Sequence, residues 1–209
     1  MRVLILFMVT TPNKALQLKE PTDLAASDGS HVVQYYEEPS FLVRRVSEFI
    51  ALGLEAGEAA LVIATREHHL LITDDLVQRG IDVAGARRSG SYVVLDAKEA
   101  LSRFMRDGRP DRASFIELVG GAIAQARPRA RYPIVRAFGE MVAVLWAAGQ
   151  RDAALELEEL WNELIGHHPF SLMCGYPTDI FGPEDTAALE KVSAAHGRVL
   201  RGEDEAAAD

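Results

Sequence analysis

The chain has 209 residues, of which 48% are hydrophobic, 25% charged and 7% aromatic. These proportions exclude a disordered, collagen-like or disulfide-dense protein, and the length suits one domain with extensions, large enough to bury a core without a metal or disulfide staple. Lys and Arg total 22 against 31 Asp and Glu, a formal charge of −9, which repels a phosphate backbone and argues against direct nucleic-acid binding.

Chain order begins with an apolar run, Val3–Val9. It is far shorter than the ~20 residues that span a bilayer, and no small-residue cleavage site follows it promptly. Residues 1–28 therefore read as an N-terminal extension rather than an anchor, with no membrane partner expected. From His31 short apolar runs alternate with longer amphipathic ones. His31–Tyr36 reads as a strand, and the apolar spacing of Phe41, Leu42, Val46, Phe49, Ile50 and Leu54 as a helix ended by Gly53 or Gly57. Ala59–Thr65 is continuously apolar, as in a parallel strand buried on both faces.

A helix is expected over about 66–79, a strand at Ser91–Leu95, and helices near 97–106 and 112–126, with Asp107–Pro110 as the turn between them. Arg127, Arg129 and Arg131, interrupted by Pro128 and lacking interleaved aromatics, read as a loop. Ile134–Phe138 is the fourth strand and Phe170–Tyr176 the fifth, with helices at about 139–148 and 151–166 between them. A last helix is expected from near Pro183 to about Leu200, followed by an acidic tail over 201–209. Alternating strands and helices imply right-handed crossovers. The expected fold is one three-layer α/β domain over about 29–200, with a mainly parallel five-stranded sheet and helices on both faces.

Ligands of an open parallel sheet bind beyond the carboxyl ends of its strands. That rule selects Tyr35, Tyr36 and Glu37, then Arg66, Asp96, Glu140 and Tyr176. A phosphate-cradling loop would occupy the first connection, Tyr35–Phe41. It has no glycine or lysine and carries Glu37 and Glu38, and the chain has no Gly-Lys pair. ATP hydrolysis and dinucleotide binding are not expected, and no cofactor is. Cys174, the lone cysteine, excludes an internal disulfide and suits a reducing cytoplasm. Within an apolar strand it reads as a small hydrophobe rather than a nucleophile beside His167 or His168. His68 and His69, like His167 and His168, are adjacent and so lack ligand spacing on a helix. His196 lacks the context of a phosphoacceptor. No catalytic or metal-binding set is expected.

Two features remain. Glu158 lies at the edge of the apolar face formed by Ala153, Leu157, Leu160, Trp161 and Leu164, where a carboxylate needs a partner, either a ligand or a buried arginine such as Arg136. Tyr35, Tyr36, Trp146, Trp161 and Tyr176 either line one pocket or pack the core. Glu140 and Trp161 are expected to matter more for ligand response than for folding.

Five linked segments resemble one family: His31–Glu37, Gly53–Thr65, Val135–Met141, Leu157–Asn162 and Pro169–Pro177. Together they are similar to the MEDS domain, the methanogen/methylotroph sensory domain of bacterial and archaeal signalling proteins. In layout the chain also looks like a RecA/KaiC-type ATPase core that has lost its P-loop. The resemblance implies a sensory module for a small organic molecule such as a hydrocarbon derivative. Joined to the residues above, it gives as the leading expectation a non-catalytic cytoplasmic sensor whose ligand meets the aromatic residues and takes polarity from Arg136, Glu140 or Glu158. It implies a regulatory partner such as a histidine kinase, an anti-sigma factor or a transcription regulator, and a homodimer is compatible with it. Two other classes stay open. A ligand-independent adaptor would show an exposed apolar patch, and a divergent hydrolase or weak ATPase would bring Cys174, histidine and carboxylate together.

Overall fold

A computed structural model describes residues 29–127 and 130–201. The expectations for residues 1–28, Pro128, Arg129 and 202–209 lie outside the described residues. The apolar run at the start of the domain forms β1 (His31–Tyr36), followed by α1 (Pro39–Ala56), β2 (Ala59–Ala64) and α2 (Arg66–Gln78). Proline in the first turn of α1 satisfies the φ a helix start requires. Its end is set by Gly57, whose φ of 83° lies in the left-handed region that a Cβ disfavours. Next come α3 (Val83–Ser89), β3 (Tyr92–Asp96), α4 (Ala97–Phe104), and the short strands β4 (Met105–Arg106) and β5 (Arg109–Pro110).

Asp107 and Gly108 join β4 to β5 with φ of 50° and 77°, the paired positive angles that an Asp-Gly hairpin turn adopts. A continuous helical run follows: α5 (Arg112–Phe115), a five-residue π-helical turn (Ile116–Gly120) and α6 (Gly121–Ala126). The remaining elements are β6 (Val135–Gly139), α7 (Met141–Ala147), α8 (Arg151–His167), β7 (Phe170–Pro177), α9 (Thr186–Ala195) and β8 (Arg198–Arg201). No helix among the described residues is long and apolar enough to cross a membrane.

The central sheet has six strands in the order β3-β2-β6-β7-β1-β8, every pairing parallel. The expected five-stranded sheet is thus short by one. The helix placed up to about Leu200 ends at Ala195, where His196 turns to extended φ and ψ of −107° and 139°. Arg198–Arg201 then pairs with β1 in the register Val33↔Val199. A run of only four residues carries too little periodicity to separate strand from helix, so the sheet edge decides it. The helix α3 was likewise not expected, because its seven residues (Val83–Ser89) include Gly85 and two arginines and bury only Val83.

Because side chains alternate across a strand, the sheet divides two apolar layers. Tyr36, Val62, Phe138 and Met173 face α1, α2 and α3, whereas Val33, Tyr35, Ala137, Cys174 and Tyr176 face the helices α4 to α9. All six β2 side chains are inaccessible, as expected of a strand covered on both faces.

Candidate functional site

At the carboxyl ends of β1 and β8, where an open α/β sheet presents its ligands, Tyr35, Tyr36, Glu37, Thr178, Phe181, Leu189 and Arg201 line a cavity of about 260 Å³. Its wall is an aromatic cluster. Phe181 lies 6.0, 5.7 and 5.0 Å (ring centroids) from Tyr35, Tyr176 and Trp146, and the Arg201 guanidinium lies over the Tyr35 ring at 5.3 Å. Three of the sequence-selected residues, Tyr35, Tyr36 and Glu37, therefore meet at one site. Tyr176 and Trp146 are buried behind Phe181 and do not line the cavity themselves. Thr178, Phe181, Leu189 and Arg201 were not selected, since they come from the turn after β7, from α9 and from the unexpected strand β8.

Glu140 closes a different junction, between β6 and β2. Its carboxylate accepts the backbone N–H of Thr65 and lies 2.6 Å from His68 Nδ1. That hydrogen bond, stronger than the opposing burial, raises the His68 pKa above 6.5, and the charges of Glu140 and Glu67 add to it. The Tyr36 and His68 ring centroids are 6.5 Å apart in a T-shaped contact. Arg66 and Asp96 share a shallower groove with His69, Arg87, Tyr92, Val94 and Glu99. The Asp96 carboxylate is committed to capping α4, accepting from the N–H groups of Lys98 and Glu99.

Two of the selected residues fall elsewhere. Arg136 sits at the amino end of β6, on the α1 side of the sheet, and cannot reach Glu158 on the other side. Its guanidinium bonds Glu58 at 2.6 Å and the Phe49 carbonyl at 3.2 Å. Gly53 leaves the room, because a Cβ there would lie 2.6 Å from Arg136 Cδ. Trp161 is fully buried, packed edge-on against Phe115 at 5.2 Å and tilted against Phe170 at 6.2 Å. It belongs to the core and lines neither cavity. Of the five aromatics that could line one pocket or pack the core, Trp161 packs the core, while Tyr35 and Tyr36 reach the cavity from opposite faces of the sheet.

Glu158 instead finds its partners on β1, β7 and the end of α9. Tyr176 donates its hydroxyl to Glu158 Oε1 at 2.8 Å. Oε2 lies 3.5 Å from the Nε2 atoms of both His31 and His196. Cys174 Sγ lies 3.4 Å from His31 Nε2. All five groups are buried, between 0% and 7% exposed. Burial pushes the Glu158 carboxyl up to about 8 against the pull of the Tyr176 hydroxyl, and holds His31 down at about 4 and His196 at about 3. It also raises the Cys174 thiol, with Glu158 adding to the effect, so the sulfur is no activated nucleophile. Convergence of cysteine, histidine and carboxylate was the arrangement a divergent hydrolase would need, and the residues that supply it are His31 and His196 rather than His167 or His168. The sequence signal for them is weak. His31 opens an apolar strand in phase with Val33 and Tyr35, but the partners are more than a hundred residues away.

Comparison with known proteins agrees with the topology. No curated protein matches the chain. A solved structure from Pyrococcus horikoshii OT3 superposes with a TM-score of 0.55 over 86% of this chain and 84% of that one, at 10% sequence identity, a likeness of fold alone. The family model of the MEthanogen/methylotroph, DcmR Sensory domain matches residues 30–196, from the first strand to the histidine that ends α9. The chain belongs to the MEDS family of sensory domains.

Proposed function

We propose that this protein is a non-catalytic sensor that binds a small, largely apolar organic molecule in the cavity at the carboxyl ends of β1 and β8 and passes the signal to a partner protein. The observation that carries the reading is that cavity, at the position where parallel sheets present ligands, walled by Tyr35, Tyr36, Phe181 and Leu189. Its ~260 Å³ falls below the ~300–1,000 Å³ of drug-sized sites, which selects a compact ligand. Arg201 and Glu37 at the rim supply polarity. Binding shifts the populations of two packings of the 178–189 segment, and the partner distinguishes them. The acidic first connection, Glu37 and Glu38 ahead of α1, supports a reading without nucleotide hydrolysis. The deep burial of Cys174, His31, His196 and Glu158 supports one without nucleophilic chemistry.

A second observation favours a protein partner. Leu70, Leu71 and Val77 are 56%, 46% and 56% exposed on α2, apolar side chains that a docked chain would cover. The experiment is native mass spectrometry of freshly purified protein, followed by a thermal-shift panel of small alcohols, halocarbons and short carboxylic acids against wild type and Leu189→Trp. The indole fills the cavity, so compounds that raise the wild-type melting temperature are expected to lose their effect in the variant. Equal shifts in both proteins would overturn the cavity as the site.

A further inference from the structure

Between the sheet and the helices α8 and α9, four metal-type donors converge from four different elements: His31 of β1, Cys174 of β7, Glu158 of α8 and His196 at the end of α9. Their nearest donor atoms all lie within 4.8 Å of one another. A ligand-free polar core needs donors matched to acceptors, and this one is not matched. The tautomers follow from the outer contacts. His196 Nδ1 lies 2.7 Å from the Val192 carbonyl, which only accepts, so Nδ1 carries the proton and Nε2 presents a lone pair. Asn162 Nδ2 donates to the Ala195 carbonyl at 3.0 Å. That turns Asn162 Oδ1 toward His31 Nδ1 at 2.8 Å, so His31 likewise presents Nε2 as a lone pair. Glu158 Oε1 is engaged by Tyr176, whereas Glu158 Oε2 and His196 Nε2 are buried without a hydrogen-bond partner. Four electron-pair donors thus face one point, two of them unsatisfied.

We propose that His31 Nε2, His196 Nε2, Cys174 Sγ and Glu158 Oε2 bind one Zn²⁺ ion in a closed tetrahedral site. Zinc takes this mixture of imidazole, thiolate and carboxylate, and usual bond lengths give a tetrahedron with donor–donor edges of about 3.3–3.6 Å. The His31–Cys174, His31–Glu158 and His196–Glu158 separations of 3.4, 3.5 and 3.5 Å match those edges. Each histidine's second nitrogen is fixed by a carbonyl oxygen, the outer contact that orients metal-bound imidazoles. The charges also balance: a dication, a thiolate, a carboxylate and two neutral imidazoles sum to zero, which a dry core tolerates. Binding sends the Cys174 Sγ proton and the proton carried by the Glu158 carboxyl to solvent, and no oxidation state changes. With all four positions held by the chain, the ion is structural. It would tie His196, and through it β8, to β1, where Gly197 N–H already donates to the His31 carbonyl at 2.9 Å. Since β8 ends at Arg201, on the rim of the cavity, the ion would also order the edge of the ligand site. The inference stands on the donor set alone, so failure of zinc uptake leaves the cavity reading in place.

The test uses full-length protein dialysed against chelator, then titrated with Zn²⁺ alone in competition with a chromogenic chelator, and with Co²⁺ as an optical probe. Saturation at one ion per chain is expected. The cobalt form should show intense tetrahedral visible bands and a thiolate-to-metal charge-transfer band in the near ultraviolet. Cys174→Ser should lose the charge-transfer band, and His196→Gln should weaken affinity about tenfold or more. The double variant His167→Gln, His168→Gln should bind as wild type does. Should Cys174→Ser fail to fold, X-ray absorption of the zinc-loaded wild type decides, with one sulfur and three nitrogen or oxygen neighbours expected. The proposal is overturned by no saturable uptake at one ion per chain, by a pale octahedral cobalt spectrum without the thiolate band, by a sulfur-free zinc shell, or by loss of binding in the His167/His168 variant.

Discussion

Replacing Glu140 with Gln isolates the charge at the β6–β2 junction while keeping the shape and one carbonyl oxygen. In wild type the carboxylate accepts from Thr65 N–H and from His68, with Glu140 4% exposed and the His68 side chain 16% exposed. The glutamine of Glu140→Gln still accepts the Thr65 N–H through its amide oxygen, so that bond is not lost. What changes is the partner offered to His68. Protonated His68 donates to a carboxylate in wild type but meets an amide NH₂ in the variant, donor against donor. A hydrogen bond to a charged group contributes about 1.5–3 kcal/mol, and partial exposure of His68 places the loss at about 1–2 kcal/mol at pH 5.5. Neutral His68 instead presents Nδ1 as an acceptor to the glutamine NH₂, and the loss falls below about 1 kcal/mol at pH 9.

The His68 pKa is raised in the folded state. The pair's contribution is therefore complete below the unfolded value of about 6.5 and is lost as pH rises through the folded one. Urea melts of wild type and Glu140→Gln at both pH values measure the difference, which should shrink as pH rises. A difference that is independent of pH, or that widens with pH, would refute the assignment of His68 as the partner. A loss of 3–5 kcal/mol, the cost of stranding a fixed buried charge, would refute it equally, because His68 can discharge by losing its proton.

Trp161→Ala should cost about 3–5 kcal/mol in urea unfolding, because the indole is wholly enclosed by Phe115, Phe170 and their neighbours; a loss below about 1 kcal/mol would place it at a ligand surface after all. Arg136→Met should cost about 3–5 kcal/mol by stranding Glu58, whose side chain is 12% exposed. The double variant Arg136→Met, Glu58→Leu should recover most of that loss, and additive costs in the double-mutant cycle would contradict the pairing.

Much of this protein is written in local pattern. The apolar runs of β1, β2, β3, β6 and β7 and the helical spacing of α1 and α8 read correctly because burial on one or both faces imposes periods of two, none or 3.6. Family membership is legible too, since five short segments in fixed order carry it. The rest depended on tertiary structure, for reasons that recur. The four residues of β8 hold too few positions to declare a period, and only the open edge of β1 makes them a strand. Arg136 and Phe138 share a sheet face that Glu158 never meets, and no local pattern says which helices cover which face. His31, Glu158, Cys174 and His196 span most of the domain in sequence, each in an unremarkable local setting. They become a site only when the order β7-β1-β8 and the seating of α8 and α9 bring their donor atoms within 4.8 Å. Local propensity decides which residues form elements, but only the packing of distant elements decides which polar groups must answer to one another, because a buried donor or acceptor is satisfied in space and not along the chain.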